Sequence, residues 1–383
     1  MTLDQDPLTL EVNLLKVEPA QSALWTDSGG SLMATSTRTN IDLAVVEARE
    51  CPPAVTRRSR RVRLAAALLG VTMLSAACSS TAVSSSETGT TSPTATASDF
   101  SGAVDIGNGR QIYATCQGTG SPTVVLIAGK GNGAEDWQDV LEPGDPAHTA
   151  PGDNLPFGMG ELVPSDDAVF PSVAGFTRVC TYDRPGVRTD GADVSTPREQ
   201  PHTVDQDVAD LQALMTALDD PGPYVLVAHS YGGLIATLYA RTYPESVAGL
   251  VMVDTVTELM ENIATAAQLK GWSKTNAMTS AQSPEGVELA DAFAKINAAQ
   301  PLPDVPAVVL SADKPWRIDL LPPKVRKIKT VTFDEWLQSL DLLATALHAQ
   351  HITDTNSGHD IYLYNPAIVV DAIHGVVDDV RSN

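Results

Sequence analysis

The sequence has few basic side chains for its length. Its 383 residues include 25 Lys and Arg against 47 Asp and Glu, so the formal net charge is −22. Because binding of nucleic-acid phosphates depends on clustered Lys and Arg, we expect no nucleic-acid partner. The chain also lacks a histidine pair at metal-ligand spacing, such as H-E-x-x-H, and a phosphate-binding loop that ends in G-K-[ST]. We therefore expect no metal ion and no cofactor.

The apolar segment near the N-terminus is too short to cross a bilayer. It covers residues 64–77, which is 14 residues, whereas a membrane-spanning helix needs about 20. Five arginines at 57–63 precede it and small residues end it, which is typical of a cleaved secretory signal. We therefore predict a signal peptide at 57–77. Residues 1–56 are expected to be disordered or to lie upstream of the true start of translation.

The end of this segment, L-S-A-A-C at residues 74–78, resembles a bacterial lipobox, in which the cysteine is lipidated. Ser75 stands where an aliphatic residue is usual, so ordinary cleavage after Ala77 is the alternative. The tract that follows is rich in Ser and Thr and cannot bury a core, which indicates a tether over residues 78–100. A tether favours a lipid anchor at Cys78. The protein is accordingly expected to be exported, and either anchored to the membrane in the cell envelope or secreted.

Residues 101–383 alternate short apolar runs with helical periodicity. This alternation predicts an α/β fold with a mostly parallel central sheet flanked by helices. No internal repeat is present. The predicted strands are 111–116, 123–128, 177–182, 224–228, 248–254, 307–310 and 350–353, and the clearest helices are 204–218, 336–347 and 367–380.

One predicted strand ends in a sharp turn that carries a serine. Residues 228–232 read A-H-S-Y-G and are followed by a helical pattern. Ser230 at such a turn must adopt a strained backbone conformation, which requires small neighbours; Gly232 and Gly233 meet that requirement. The helix that follows directs its free N–H groups and its positive dipole end towards the turn. The pattern predicts Ser230 as a nucleophile.

This turn resembles the nucleophile elbow G-x-S-x-G of the α/β-hydrolase family, with Ala228 in place of the first glycine. The resemblance covers roughly residues 103–380 and is closest to the bacterial serine hydrolases of the esterase and lipase type. It implies the α/β-hydrolase fold, with a small helical lid inserted at about 255–304. The further segments that carry it are 123–129 (T-V-V-L-I-A-G), 177–186 (T-R-V-C-T-Y-D-R-P-G), 250–254 (L-V-M-V-D) and 357–359 (S-G-H).

The resemblance implies a triad in the order Ser, acid, His. His359 lies in the loop before the last predicted helix and is the expected base. The acid orients the histidine and stabilises its protonated form. Asp254, at the end of the strand after the elbow, is the favoured acid, and Asp313, after the next strand, is the alternative. His229 is expected to point away across the pleat and to pack in the core.

A tetrahedral intermediate needs two N–H donors for its negatively charged oxygen. The resemblance assigns these to the backbone N–H groups of Tyr231 and Lys130. Lys130 belongs to a glycine-rich loop, G-K-G-N-G at residues 129–133, that allows the backbone to approach the site. The resemblance also makes the strands of Cys116 and Cys180 neighbours, and so implies a disulfide between them in an oxidising compartment.

The function expected from these residues is hydrolysis of a carboxylic ester, or a related acyl bond, through an acyl-enzyme. The substrate is expected to be a small-molecule or lipid ester. A nucleophilic serine instead of aspartate argues against haloalkane or epoxide hydrolysis. Two alternatives remain at this point: a non-catalytic cell-envelope lipoprotein that uses the fold as a binding module, and a peptidase or perhydrolase on the same scaffold.

Overall fold

The computed structural model describes residues 98–141, 162–188, 193–277, 285–316, 323 and 326–383. The predicted signal peptide, the lipidation candidate Cys78, the tether up to residue 97 and the N-terminal extension all lie outside the described residues. Among the helices that are described, none is both long and apolar enough to cross a membrane.

The domain is organised around a large sheet. The strands in the described ranges are β1 (Phe100–Gly107), β2 (Arg110–Gln117), β3 (Thr123–Ile127), β4 (Asp139–Leu141), β5 (Leu162–Pro164), β6 (Val179–Tyr182), β7 (Tyr224–His229), β8 (Val247–Val253), β9 (Ala307–Leu310) and β10 (Gln350–Ile352). Eight of them form one sheet in the order β1-β2-β6-β3-β7-β8-β9-β10. β2 is antiparallel to β1 and β6, and the other neighbours are parallel. β4 and β5 form a separate antiparallel pair. The predicted, mostly parallel sheet is confirmed.

Helices cover both faces of the sheet. They are α1 (Val169–Ala174), α2 (Val204–Ala217), α3 (Gly232–Thr242), α4 (Ala266–Ala277), α5 (Leu289–Ala298), α6 (Phe333–Ala346), α7 (Ile361–Tyr364) and α8 (Pro366–Ser382). The pleat of β7 separates two cores: Leu226 packs with α2, α3, α5 and α6, whereas Val225 and Val227 pack with α1, α7 and α8. Both faces are buried, which explains why β7 is a continuous apolar run.

The structure differs from the sequence prediction at some element ends. α6 begins at Phe333, earlier than predicted, because Thr332 and Glu335 form a capping box. In it, Thr332 Oγ1 accepts from the Glu335 N–H at 3.3 Å, and Glu335 Oε2 accepts from the Thr332 N–H at 2.8 Å. β1 was not among the predicted strands. Ser101, Gly102 and Asp105 interrupt its apolar residues, so it lacks the pattern of a buried strand.

The helices α4 and α5 lie in an insertion between β8 and β9. This insertion falls within residues 255–304, the stretch predicted as a lid, of which 278–284 lie outside the described residues. α5 buries Leu289, Phe293 and Ile296 in the core that it shares with α2 and α3. The insertion is therefore anchored on the sheet face that carries α3, the helix after Ser230.

The predicted disulfide is present. Cys116 in β2 and Cys180 in β6 are directly opposite each other in the antiparallel pair of strands, and their sulfur atoms are bonded. Both residues are buried. The bond therefore fixes the hairpin of β1 and β2 to the parallel part of the sheet.

Candidate active site

Ser230 occupies the turn between β7 and α3. Its φ of +49° lies in the left-handed region, which costs a non-glycine residue about 1–3 kcal/mol. A Cβ on Gly232 would come within 2.4 Å of the Ile127 carbonyl oxygen, so only glycine fits there. Ser230 is partly exposed, whereas His229 and Tyr231 on either side are buried. The turn thus presents the serine to solvent and hides its neighbours.

His359 and Asp254 are joined by a short hydrogen bond. His359 Nδ1 lies 2.6 Å from Asp254 Oδ2, and the Asp254 side chain is fully buried. An ionised carboxylate only accepts, so Nδ1 carries the proton and Nε2 is left to accept one. Burial lowers the pKa of His359, but the hydrogen bond and the charge of Asp254 outweigh that effect, and the pKa is raised above its ordinary value. Asp254 thus orients the ring and favours its protonated form.

Asp254 is held by two further donors. The Ala312 N–H and Trp336 Nε1 each donate to Asp254 Oδ1 at 2.9 Å. With His359 on Oδ2, the carboxylate has a donor for each oxygen and a fixed plane. The backbone of Asp254 also has a positive φ, +43°, in a turn directly after β8. Both oxygen atoms are therefore oriented by neighbouring groups, in a place without water access.

Asp313, the alternative acid, makes different contacts. Its Oδ1 accepts from the Ser357 N–H at 2.9 Å and its Oδ2 from the Asn356 N–H at 3.1 Å. In return, the Asp313 N–H donates to the Ser357 carbonyl at 3.1 Å. These bonds hold the loop that leads to His359. In this geometry His359 pairs with Asp254, and Asp313 holds the backbone of the loop before His359.

His229 contacts the backbone of the candidate base. Its Nε2 lies 3.1 Å from the His359 carbonyl oxygen, and the two rings are 4.7 Å apart. Burial lowers the pKa of His229 well below its ordinary value, so the ring is neutral and Nε2 donates. His229 is buried, as predicted from its place next to Ser230 in the strand. The structure adds that it brings the end of β7, and with it Ser230, against the loop of His359.

The glycine-rich loop after β3 approaches Ser230 from the other side. A Cβ on Gly129 would lie 3.0 Å from Ser230 Cβ and 2.8 Å from His229 Nδ1, so glycine is required for this approach. Lys130 follows it directly, and Tyr231 follows Ser230. Burial lowers the pKa of the Lys130 ammonium, although the charge of Glu285 opposes the shift. The two residues predicted as oxyanion donors therefore directly follow Gly129 and Ser230, which lie close together.

Two residues near this site, Trp336 and Arg184, are not predicted from the sequence. Trp336, on α6, has no motif that would connect it to Asp254, which lies 82 positions away. Arg184 belongs to a segment used for the family resemblance, but its partner Glu285 is 101 positions away. Their contacts depend on tertiary packing alone. Within the described ranges, no cluster of three or more His, Cys, Asp or Glu side chains could hold a metal ion.

Comparison with known proteins connects this geometry to a family. The model of the alpha/beta hydrolase family matches residues 124–372, which is more than half of the chain. Among curated proteins, the uncharacterized Bacillus subtilis protein YqjL is 28% identical over 138 residues, covering 36% of this chain and 41% of the relative. Lipase LipV of Mycobacterium tuberculosis is 42% identical over 59 residues, covering 15% and 22%. The matches thus span less than half the length of these relatives.

Some solved structures are similar to this chain at low sequence identity. A thermophilic esterase from Thermogutta terrifontis is 18% identical, covers 74% of this chain and 99% of its own, and superposes with a TM-score of 0.44. A membrane phospholipase A described as a bacterial virulence factor is 19% identical, covers 75% and 87%, and has a TM-score of 0.43. At these identities the likeness concerns the fold alone.

Proposed function

Because the chain belongs to the alpha/beta hydrolase family, we propose that it is a serine hydrolase that cleaves a carboxylic ester or a related acyl bond. One observation carries the proposal: His359 Nδ1 donates to buried Asp254 at 2.6 Å, and Nε2 of His229, the residue before left-handed Ser230, lies 3.1 Å from the His359 carbonyl oxygen. A base oriented by an acid, near a partly exposed serine, is the arrangement that activates a hydroxyl for acyl transfer.

In the first half of the reaction, Ser230 Oγ attacks the carbonyl carbon of the ester while His359 Nε2 takes its proton. The carbonyl π electrons move to the oxygen, which becomes negatively charged. The backbone N–H groups of Tyr231 and Lys130 donate to that oxygen, and such donors contribute about 10²–10³ each in rate. The intermediate collapses, the C–O bond to the alcohol breaks, and protonated His359 gives its proton to the leaving oxygen.

The second half regenerates the enzyme. A water molecule loses a proton to His359 Nε2 and attacks the acyl carbon bonded to Ser230 Oγ. The second tetrahedral intermediate uses the same two N–H donors. When it collapses, the acid product leaves and the proton on His359 returns to Ser230 Oγ. Asp254 keeps its hydrogen bond to His359 Nδ1 throughout and stabilises the protonated ring in both halves.

Labelling with a fluorophosphonate tests this function directly. The full chain is treated with the probe, digested and mapped, with Ser230→Ala as the matched control. We expect covalent labelling at Ser230 that the control lacks, together with hydrolysis of short-chain p-nitrophenyl esters. A folded protein that neither reacts nor hydrolyses these esters would contradict the proposal and favour a binding module on the same fold.

We also propose that the protein is exported and anchored through a lipid on Cys78, and that it acts on small-molecule or lipid esters. The arginine-rich, apolar segment at 57–77 and the disulfide support export, since disulfides persist in oxidising compartments. Mass spectrometry of the first peptide of the mature protein is the test. A lipidated Cys78 supports the anchor, an unmodified terminus at Cys78 indicates secretion, and peptides from residues 1–50 would contradict cleavage.

A further inference from the structure

A buried ion pair lies beneath the glycine-rich loop. Arg184 Nε donates to Glu285 Oε1 at 2.7 Å and Arg184 Nη2 to Oε2 at 3.1 Å, and both side chains are buried. Burial lowers the pKa of Arg184, but the charge of Glu285 more than offsets it, and the pKa is raised. Burial likewise raises the pKa of Glu285, and Arg184 reverses the effect. Both groups are therefore charged inside the protein.

The pair holds the loop at three backbone atoms. Arg184 Nη1 donates to the Ala128 carbonyl at 2.7 Å and Nη2 to the Gly129 carbonyl at 2.5 Å. Glu285 Oε2 accepts from the Gly131 N–H at 2.6 Å. These atoms lie before and after Lys130, whose N–H is a proposed oxyanion donor. The loop is thus fixed on both sides of that donor.

The bond to Gly129 acts on the donor through a single peptide unit. The Gly129 carbonyl and the Lys130 N–H belong to the same planar group, and in a trans peptide they point in opposite directions. Arg184, together with the Asn132 N–H that donates to the same oxygen at 3.1 Å, therefore sets the direction of the Lys130 N–H. The positively charged guanidinium that donates to that oxygen also draws electrons from the peptide nitrogen. This strengthens the Lys130 N–H as a donor, because hydrogen bonds in series polarise one another.

The second donor residue contacts the same charged network. The Arg184 guanidinium carbon lies 5.6 Å from the centre of the Tyr231 ring, and Tyr231 Oη donates to Asp207 at 2.7 Å. His202 Nε2 lies 3.0 Å from Asp207 and 3.6 Å from Glu285. The network therefore extends from the loop after β3 to the first residue after Ser230.

We propose that Arg184, held by Glu285, is a positioning residue that orients and polarises the Gly129–Lys130 peptide for oxyanion binding. This inference rests on the proposed function. Glu285 comes from the insertion between β8 and β9, which would make that insertion part of the catalytic support. Neither side chain needs to touch the substrate, since both act through the loop.

Three variants test the role in the full chain. Arg184→Lys keeps the charge and loses the planar fork, and Glu285→Gln keeps the shape and loses the charge. Arg184→Met/Glu285→Leu replaces the pair by apolar side chains, a change that proteins often tolerate. Because the oxyanion forms only in the transition state, we expect kcat for p-nitrophenyl acetate to fall about 10- to 100-fold with KM changed less than about 2-fold.

A trifluoromethyl ketone gives a readout that a merely structural role would not move. It forms a tetrahedral adduct with the serine that carries a negative oxygen, so its inhibition constant should rise by the same factor as kcat/KM falls. Arg188→Lys is the matched control. Arg188 is on the same segment and pairs with Asp183 at 2.7 Å, without a described contact to residues 128–131, and its kinetics should be unchanged.

The outcomes separate the inference from the function on which it rests. Fluorophosphonate labelling of the wild-type chain is measured first, and its absence would count against the proposed function. A labelled wild type with folded variants that keep kcat and ketone affinity within about 2-fold would overturn the inference alone. Failure of all three variants to fold, judged by circular dichroism, would make the pair a requirement of folding and would also overturn the positioning role.

Discussion

Trp336 donates its indole N–H to Asp254 Oδ1 at 2.9 Å. The same ring lies edge-on to His359, with the ring centres 5.6 Å apart. One side chain on α6 thus contacts both the candidate acid and the candidate base. Asp254 and Trp336 are both buried, so this bond is protected from water. A hydrogen bond to a charged group contributes about 1.5–3 kcal/mol to stability.

Trp336→Phe tests that contact with little change in shape. The phenyl ring keeps most of the packing and removes the N–H, so Asp254 loses one of its donors. We expect kcat/KM for an ester substrate to fall about 10-fold or more, from the loss of a buried bond to a charged group. Trp272→Phe is the control, because Trp272 packs against Trp336 at 5.9 Å and makes no described bond to Asp254. Equal effects in both variants would refute a specific role for the indole N–H.

Asparagine substitutions distinguish the two candidate acids. Asp254→Asn keeps the size of the side chain but removes the charge that stabilises protonated His359, and we expect kcat to fall by about 10³–10⁴. Asp313→Asn loses one acceptor for the loop amides of Asn356 and Ser357. It should lower the free energy of unfolding by about 1–2 kcal/mol and reduce kcat less than 10-fold. Steady-state kinetics with urea unfolding of both variants would expose a reversed pattern, which would make Asp313 the acid.

The pH dependence of kcat/KM reports on His359. The ring must be neutral to take the serine proton, so activity is lost as the pH falls through its pKa. Burial lowers this pKa, but Asp254, assisted by Asp360, outweighs the effect and raises it above 6.5. The midpoint of the acid limb should therefore lie above pH 6.5. In Asp254→Asn the residual activity should show a lower midpoint, and an unchanged one would contradict the assignment.

The raised pKa of His359 also makes stability depend on pH. Stability falls as the pH rises, whereas activity falls as the pH falls. A histidine whose pKa is raised on folding binds its proton more tightly in the native state. Its stabilising contribution is complete below the pKa of the unfolded chain and disappears as the pH rises through the raised native value. Urea unfolding across this window should show a larger loss of stability with rising pH in wild type than in His359→Gln. Parallel curves would contradict the raised pKa.

The disulfide should contribute strongly to stability. Its cysteines are 64 positions apart, and closing a loop of that length in the unfolded chain corresponds to about 4 kcal/mol in the chain-entropy model. Cys116→Ala/Cys180→Ala should therefore lower the free energy of unfolding by about that amount. Wild type measured with a reducing agent is the parallel test. A loss below about 1 kcal/mol in both would show that the reduced chain keeps the constraint by other means.

The sequence was sufficient to predict the sheet because most of its strands are buried on both faces. β3, β7 and β8 are continuous apolar runs, and their order along the chain leaves few topologies. Ser230 could be found because its turn requires small neighbours, which are visible as Gly232 and Gly233. The edge strand β1 is not predicted, because a strand at the edge of a sheet does not need a continuous apolar run.

Contacts between segments far apart in the chain could not be predicted from the sequence. The choice between Asp254 and Asp313 depends on which strand end faces His359, and local pattern contains no information on that direction. The pairing of Arg184 with Glu285 joins residues 101 positions apart, and neither has a spacing that implies the other. Trp336 likewise resembles any apolar residue on the buried face of a helix until the fold brings α6 next to Asp254.

Cys116 is paired with Phe100 in β1 as well as with Cys180 in β6, and this placement determines how the domain bears mechanical load. A pull on the chain at residue 98 can strip β1 and then β2 from the sheet only as far as Cys116. There the covalent bond transfers tension directly to β6, which is held by β3 as its parallel neighbour. The covalent path from Cys116 to Cys180 thus does not run through the backbone of the glycine-rich loop at residues 129–133.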